Sequence, residues 1–116
     1  MKKLTLLLLL VFISTLNALQ ATPQSIVDEL LAADRAFSVA SGKSDVVNGL
    51  SAMFGDDIML MHAGGVASGK AGATEALRQN QANAGASITW TPLRAAISGD
   101  GRHGFTAGFM NLRTAD

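Results

Sequence analysis

Cysteine and tyrosine are absent from the 116 residues, and there are only two histidines, two prolines and one tryptophan. Each shortage closes off a class of chemistry. Without cysteine the chain has no disulfide framework, no lipid-anchor cysteine and no thiolate ligand for a metal. His62 and His103 are the two histidines and do not form the short His-x-x-x-His spacing of a helical zinc site, so no metal is expected. No Gly-x-Ser-x-Gly elbow is present, which argues against acyl-transfer hydrolysis by an activated serine. The absence of tyrosine removes the phenolic hydroxyl as a donor to a developing oxyanion. Lysine and arginine are not clustered anywhere after the first residues, and a nucleic-acid partner is therefore excluded, because phosphate binding needs several cations on one face.

What is present begins with a leader. Lys2 and Lys3 precede an apolar run from Leu4 to Ile13, and Ser14 to Ala21 is small and polar. This is the layout of a secretory signal peptide over residues 1–21, cleaved after Ala18 or Ala21. The apolar run is too short to span a bilayer, which takes roughly 20 residues, so no membrane contact is expected after cleavage. A periplasmic or secreted protein follows, with one domain over 22–116 of about 95 residues carrying seven basic and nine acidic side chains.

Within that domain the apolar spacing predicts elements in turn. Thr22 and Pro23 suit a helix start, with Ser25 and Asp28 as an alternative cap pair, and Ile26, Val27, Leu30, Leu31, Phe37 and Ala40 recur at three- and four-residue steps up to a left-handed cap at Gly42. Asp34 interrupts this apolar stripe. A carboxylate placed there lines a wet cavity or bonds to a specific partner, since an unpaired buried charge is costly. Ser44 as cap, Asp45 in the first turn, and Val46, Val47, Leu50, Met53 and Phe54 make a shorter second helix ending at Gly55. Ile58 to Met61 reads as a strand covered on both faces, with Ile58, Leu60 and His62 on one side and Met59 and Met61 on the other. Gly64-Gly65 turns the chain, and Ser68 caps a third helix from about Lys70 to about Asn83. Two long strands close the sequence, Ile88 to Ser98 and Phe105 to Leu112, joined at Gly99-Asp100-Gly101, with Pro92 marking a bulge or an edge. The order is α+β, helices covering one face of a largely antiparallel sheet.

The motifs Phe54-Gly55-Asp56-Asp57, Gly69-Lys70 and Thr89-Trp90-Thr91-Pro92, in this order between a long first helix and a strand hairpin, resemble the NTF2-like superfamily. The likeness spans about residues 24–113 and is nearest to exported domains of the SnoaL-like and DUF4440 type. It implies a cystatin-like cone, a curved sheet wrapped around the first helix with a pocket between them. It also implies two further strands after the last one here, so the chain reads as C-terminally truncated with the last strands missing, the alternative being a cone open on one side. Ketosteroid isomerases in that superfamily carry a catalytic aspartate at the end of the first strand. The corresponding position is His62, and the helix-borne tyrosine that partners the aspartate has no counterpart.

The candidate site follows from the residues and the resemblance together. His62 can act as acid or base near neutral pH at the mouth of a pocket, or is an ordinary strand-end histidine. Asp34 can orient His62, bind a polar group or act alone as a base; its structural alternative is an ion pair with a basic side chain such as Arg94, which by alternation shares a strand face with Trp90. Phe37, Ile58, Leu60 and Trp90 would supply the apolar wall for a ligand. Gly64-x-x-x-x-Gly69-Lys70 has the outline of a phosphate loop, but Ala71 stands where Ser or Thr must hold magnesium, and no nucleotide or other cofactor is expected. The leading expectation is an exported module that binds a small, mostly apolar molecule. The alternatives are a lyase, isomerase or hydrolase working through His62 and Asp34, and a structural homodimer joined through Met59 and Met61.

Overall fold

A computed structural model describes residues 23–115, and the expected signal peptide lies outside the described residues. Helix α1 runs Pro23–Ser41 and α2 Val46–Ser51. Strands β1, Met59–His62, and β2, Gly65–Ser68, form a hairpin that leads directly into α3, Gly69–Gln79, and a 3-10 turn, Gln81–Asn83. Strands β3, Ser87–Ile97, and β4, Gly104–Arg113, make the second hairpin. Among the described residues the α+β order expected from the sequence is present, with three helices, but the single sheet is not. The two hairpins form separate two-stranded antiparallel sheets with no ladder between them.

Local chemistry explains most boundaries and corrects several. Asp45, not Ser44, caps α2: its backbone is extended and its Oδ1 accepts from the Asn48 N–H at 2.9 Å, while Oδ2 accepts from the Asn48 side chain. Both bonds favour the ionised form, and they hold the Asp45 carboxyl below its usual range. Ser68 does occupy the cap position of α3 but makes no side-chain cap bond. That helix stops at Gln79 because Asn80 turns its own side chain onto the Ala82 N–H, and Asn83 donates to the Leu77 carbonyl. At Gly101 a positive φ of 70° fits the Asp-Gly turn of the hairpin. Gly42 is not left-handed; a side chain there would stand 2.7 Å from Thr89 Cγ2, so glycine is needed for the close approach of α1 to β3.

Helix α1 lies along β3, and its polar groups make the joint. Ser38 Oγ accepts from the Trp90 N–H at 2.7 Å and donates to the Trp90 carbonyl at 2.6 Å. One hydroxyl thereby satisfies both groups that the edge strand turns away from β4. The fully covered residues of α1 are Ser38 and Ser41, while its apolar stripe is only partly covered and Phe37 is 45% exposed. Two strands are too narrow to cover a helix of five turns. The small core sits beside this joint, where Val46, Ala86 and Ile88 pack with Leu50 and Trp90, and the Val46 N–H bonds the Ala86 carbonyl.

The first hairpin departs from expectation in coverage. Met59 is 72% and Met61 84% exposed, whereas Ile58 and Leu60 on the alternate face are partly buried. The strand is covered on one face because nothing among the described residues packs on the other. In the second hairpin Pro92 does mark a bulge, with the register slipping between Pro92 and Arg94.

Candidate functional site

Two clefts open on either side of Leu50, Ile88 and Met110, one toward α1 and one toward the first hairpin. The first, of about 350 Å3, takes Asp34 from α1, Leu50 and Met53 from the α2 region, Ile88, Trp90 and Pro92 from β3, and Thr106, Gly108, Phe109 and Met110 from β4. Its wall is apolar apart from Asp34 and Thr106. The Trp90 indole Nε1–H donates to Asp34 Oδ1 at 2.6 Å, a charge-assisted bond that fixes the ring against the helix. Oδ2 accepts no hydrogen bond among the described residues, so the carboxylate keeps one acceptor face for another group.

The larger cleft, of about 600 Å3, lies between the first hairpin, α3 and β4, with Leu60, Met61 and His62 on one rim and Met110 and Leu112 on the other. Leu50, Ile88 and Met110 belong to both clefts. His62 is exposed, and its Nδ1 accepts from the Gly64 N–H at 3.2 Å, which leaves the proton of a neutral ring on Nε2. That bond curls the imidazole over its own turn.

The expected residues therefore divide. Trp90 and Asp34 meet in the smaller cleft, while Leu60 and His62 share the larger one. Asp34 and His62 do not come together: each has another partner, and the residues common to both clefts separate them. Phe37 and Ile58 line neither cleft. Phe37 lies on a side of α1 that the narrow hairpin leaves open, and Ile58 precedes β1, where its N–H and C=O bond Gly55 and Gly69.

The ion pair of Asp34 with Arg94 is also absent, and the reason is the bulge. Trp90 stands opposite Met110, but Arg94 stands opposite Ala107, on the other face of β4. One extra residue in β3 has turned Arg94 away from the side that Trp90 faces. The same slip decides which β4 residues line the cleft. Ser98 and His103 face each other at the turn, and an unbroken register counted from them would put Asn111 opposite Trp90. The bulge puts Met110 there instead. Met110, Thr106 and Gly108 were thus hidden from strand alternation alone; a bulge at Pro92, carried through the pairing, finds them.

Among the described residues no group of His, Asp and Glu side chains is arranged to hold a metal ion. The chain matches no family model, no curated protein and no solved structure.

Proposed function

We propose that this is an exported binding module of the NTF2-like kind that takes a small, mostly apolar molecule in the cleft between α1 and the second hairpin. One observation carries the reading. A nearly apolar cleft of about 350 Å3 contains a single carboxylate, Asp34, already anchored through Oδ1 and offering Oδ2. Apolar walls with one placed polar group are how small-molecule sites combine affinity with orientation. The ligand class is an apolar body carrying one N–H, O–H or cationic donor. Catalysis by His62 with Asp34 has less support, since the two side chains face different clefts. Export rests on the leader sequence.

Trp90 makes the proposal testable, because it is the one tryptophan in the chain and forms part of the wall. N-phenyl-1-naphthylamine has an apolar body and one N–H donor, and its titration should quench Trp90 emission saturably. Loss of one hydrogen bond is worth about 1 kcal/mol, so Asp34→Asn should weaken binding roughly fivefold, whereas His62→Ala should leave it unchanged. Absence of saturable quenching, or equal weakening by His62→Ala, would overturn the reading.

A further inference from the structure

The charges around the smaller cleft do not balance. Among the described residues Asp34 is the one ionisable side chain that lines it, with no lysine, arginine or histidine in its walls. The faces that carry the lining residues repeat the pattern. One turn either side of Asp34 on α1 stand Leu30, Leu31, Phe37 and Ser38, none of them charged. On the facing strands β3 presents Ile88, Trp90 and Pro92, and β4 presents Thr106 and Met110. The one basic residue of β3, Arg94, is turned to the other face by the bulge. The single ion pair among the described residues, Arg78 with Glu75, is on α3. Asp34 is thus a partly buried carboxylate in an apolar surround, with the indole hydrogen bond on Oδ1 and no counter-charge.

We infer that the ligand of this cleft is an organic cation, an ammonium group on an apolar body, with its N–H on Asp34 Oδ2. This rests on the reading of the cleft as a ligand site and narrows the ligand class. Any molecule that fills the cleft strips water from Oδ2. A neutral donor returns one hydrogen bond but leaves the charge facing apolar walls without a counter-ion. An anionic ligand would set a second negative charge against the first. An ammonium returns the hydrogen bond and the counter-charge together, and charge-assisted bonds are roughly twice as strong as neutral ones.

The neighbours of Asp34 suit a cation as well. Oδ1 is tied to the Trp90 indole, so a cation on Oδ2 stands beside the aromatic ring that attracts positive charge most strongly. The polarisable thioethers of Met53 and Met110 are in the same cleft. A bare metal cation is a poor fit, because calcium and magnesium take about six oxygen ligands and these walls are apolar.

Three naphthalene derivatives that differ in one group test the charge: 1-naphthylmethylammonium, 1-naphthylmethanol and 1-naphthoate. Isothermal titration calorimetry of the full chain should rank the ammonium first, about tenfold tighter than the alcohol, with the carboxylate weakest. The indole cross-peak of Trp90 in a 1H–15N spectrum should move as the ammonium binds, which locates it in this cleft. Asp34→Asn keeps a carbonyl oxygen for the indole N–H but removes the charge, and in that variant the ammonium should lose its advantage over the alcohol. The ranking in the parent chain needs no variant and tests the inference even where Asp34→Asn fails to fold. Equal affinity of ammonium and alcohol, or a preference for the ammonium that survives Asp34→Asn, would overturn the inference while leaving the cleft a ligand site. If none of the three moves the indole cross-peak, the reading of the cleft as a ligand site fails, and the inference with it.

Discussion

Ser38 and Ser41 lie one turn apart on α1, both almost fully covered, and the same substitution should affect them in opposite directions. Ser38 is 4% exposed and its hydroxyl serves the N–H and the carbonyl of Trp90. Ser38→Ala removes both bonds and leaves two backbone groups facing a methyl. A buried group left unsatisfied costs roughly 1–3 kcal/mol, and alanine returns about 0.5 kcal/mol through its better helix propensity, so a net loss of roughly 2 kcal/mol is expected. For a domain of this size that lowers the melting temperature by roughly 8–16 °C. Ser41 is 1% exposed and its hydroxyl has no hydrogen-bond partner among the described residues. Ser41→Ala therefore removes a buried polar atom that gains nothing, and should be neutral or stabilising by up to about 1 kcal/mol. Urea unfolding of both variants against the parent, at equal m-values, measures the difference. If both substitutions cost the same, or if Ser41→Ala costs more, the Ser38 hydroxyl is not what joins α1 to β3.

Other substitutions test the packing and the caps. Ile88→Ala should cost roughly 2–4 kcal/mol in the same unfolding assay, because Ile88 is a central member of a very small core. Gly108→Ala should prevent a stable hairpin, seen as loss of strand signal in circular dichroism, since a side chain there would collide with the Thr91 carbonyl and Pro92. Gly49→Ala should destabilise, its Cβ falling 2.5 Å from Ser41 Oγ and 3.0 Å from the Ser41 backbone, and Ser41→Ala should relieve only the first of these contacts. The Asp45 and Asp100 carboxyls are held below their ordinary value, Asp45 by the Asn48 N–H and side chain and Asp100 by the Ser98 hydroxyl and the Arg102 N–H. A depressed folded-state value adds stability above the unfolded value, near 4, that is lost as pH falls through the folded value. Acid titration of the melting temperature should therefore show a limb below about pH 4 that is shallower in Asp45→Asn.

The helices, the first strand and the second hairpin are legible because their signals are local: apolar steps of three and four, an Asp-Gly turn, a proline at a bulge; the short return strand Gly65–Ser68 carries no such signal. The joint between α1 and β3 is not legible, since it is made by Ser38, whose hydroxyl looks unremarkable in a helix until the strand edge it satisfies is known. The place of Asp34 in an apolar stripe shows that its carboxylate needs a partner, but the partner is neither His62 nor Arg94. The bulge turned Arg94 to the other face, and the His62 ring bonded its own Gly64 turn. The indole of Trp90 forms part of the apolar wall, as its composition suggests, but its N–H also supplies the bond to Asp34, which composition does not show. Coverage was the least legible property. Phe37, Met59 and Met61 have the composition of core residues, yet how many strands lie against them is a tertiary fact that periodicity does not carry.

Asp34 and Trp90 together form one wall of the proposed ligand cleft, and the Trp90 indole N–H reports on that wall directly. A 1H–15N correlation spectrum has a single indole cross-peak, because there is one tryptophan. On addition of N-phenyl-1-naphthylamine that cross-peak should move saturably, together with the amides of Leu50, Thr106 and Met110, and Asp34→Asn should shift its starting position and weaken the response. An indole cross-peak that stays in place while the probe perturbs other residues would contradict the assignment of this cleft as the binding site.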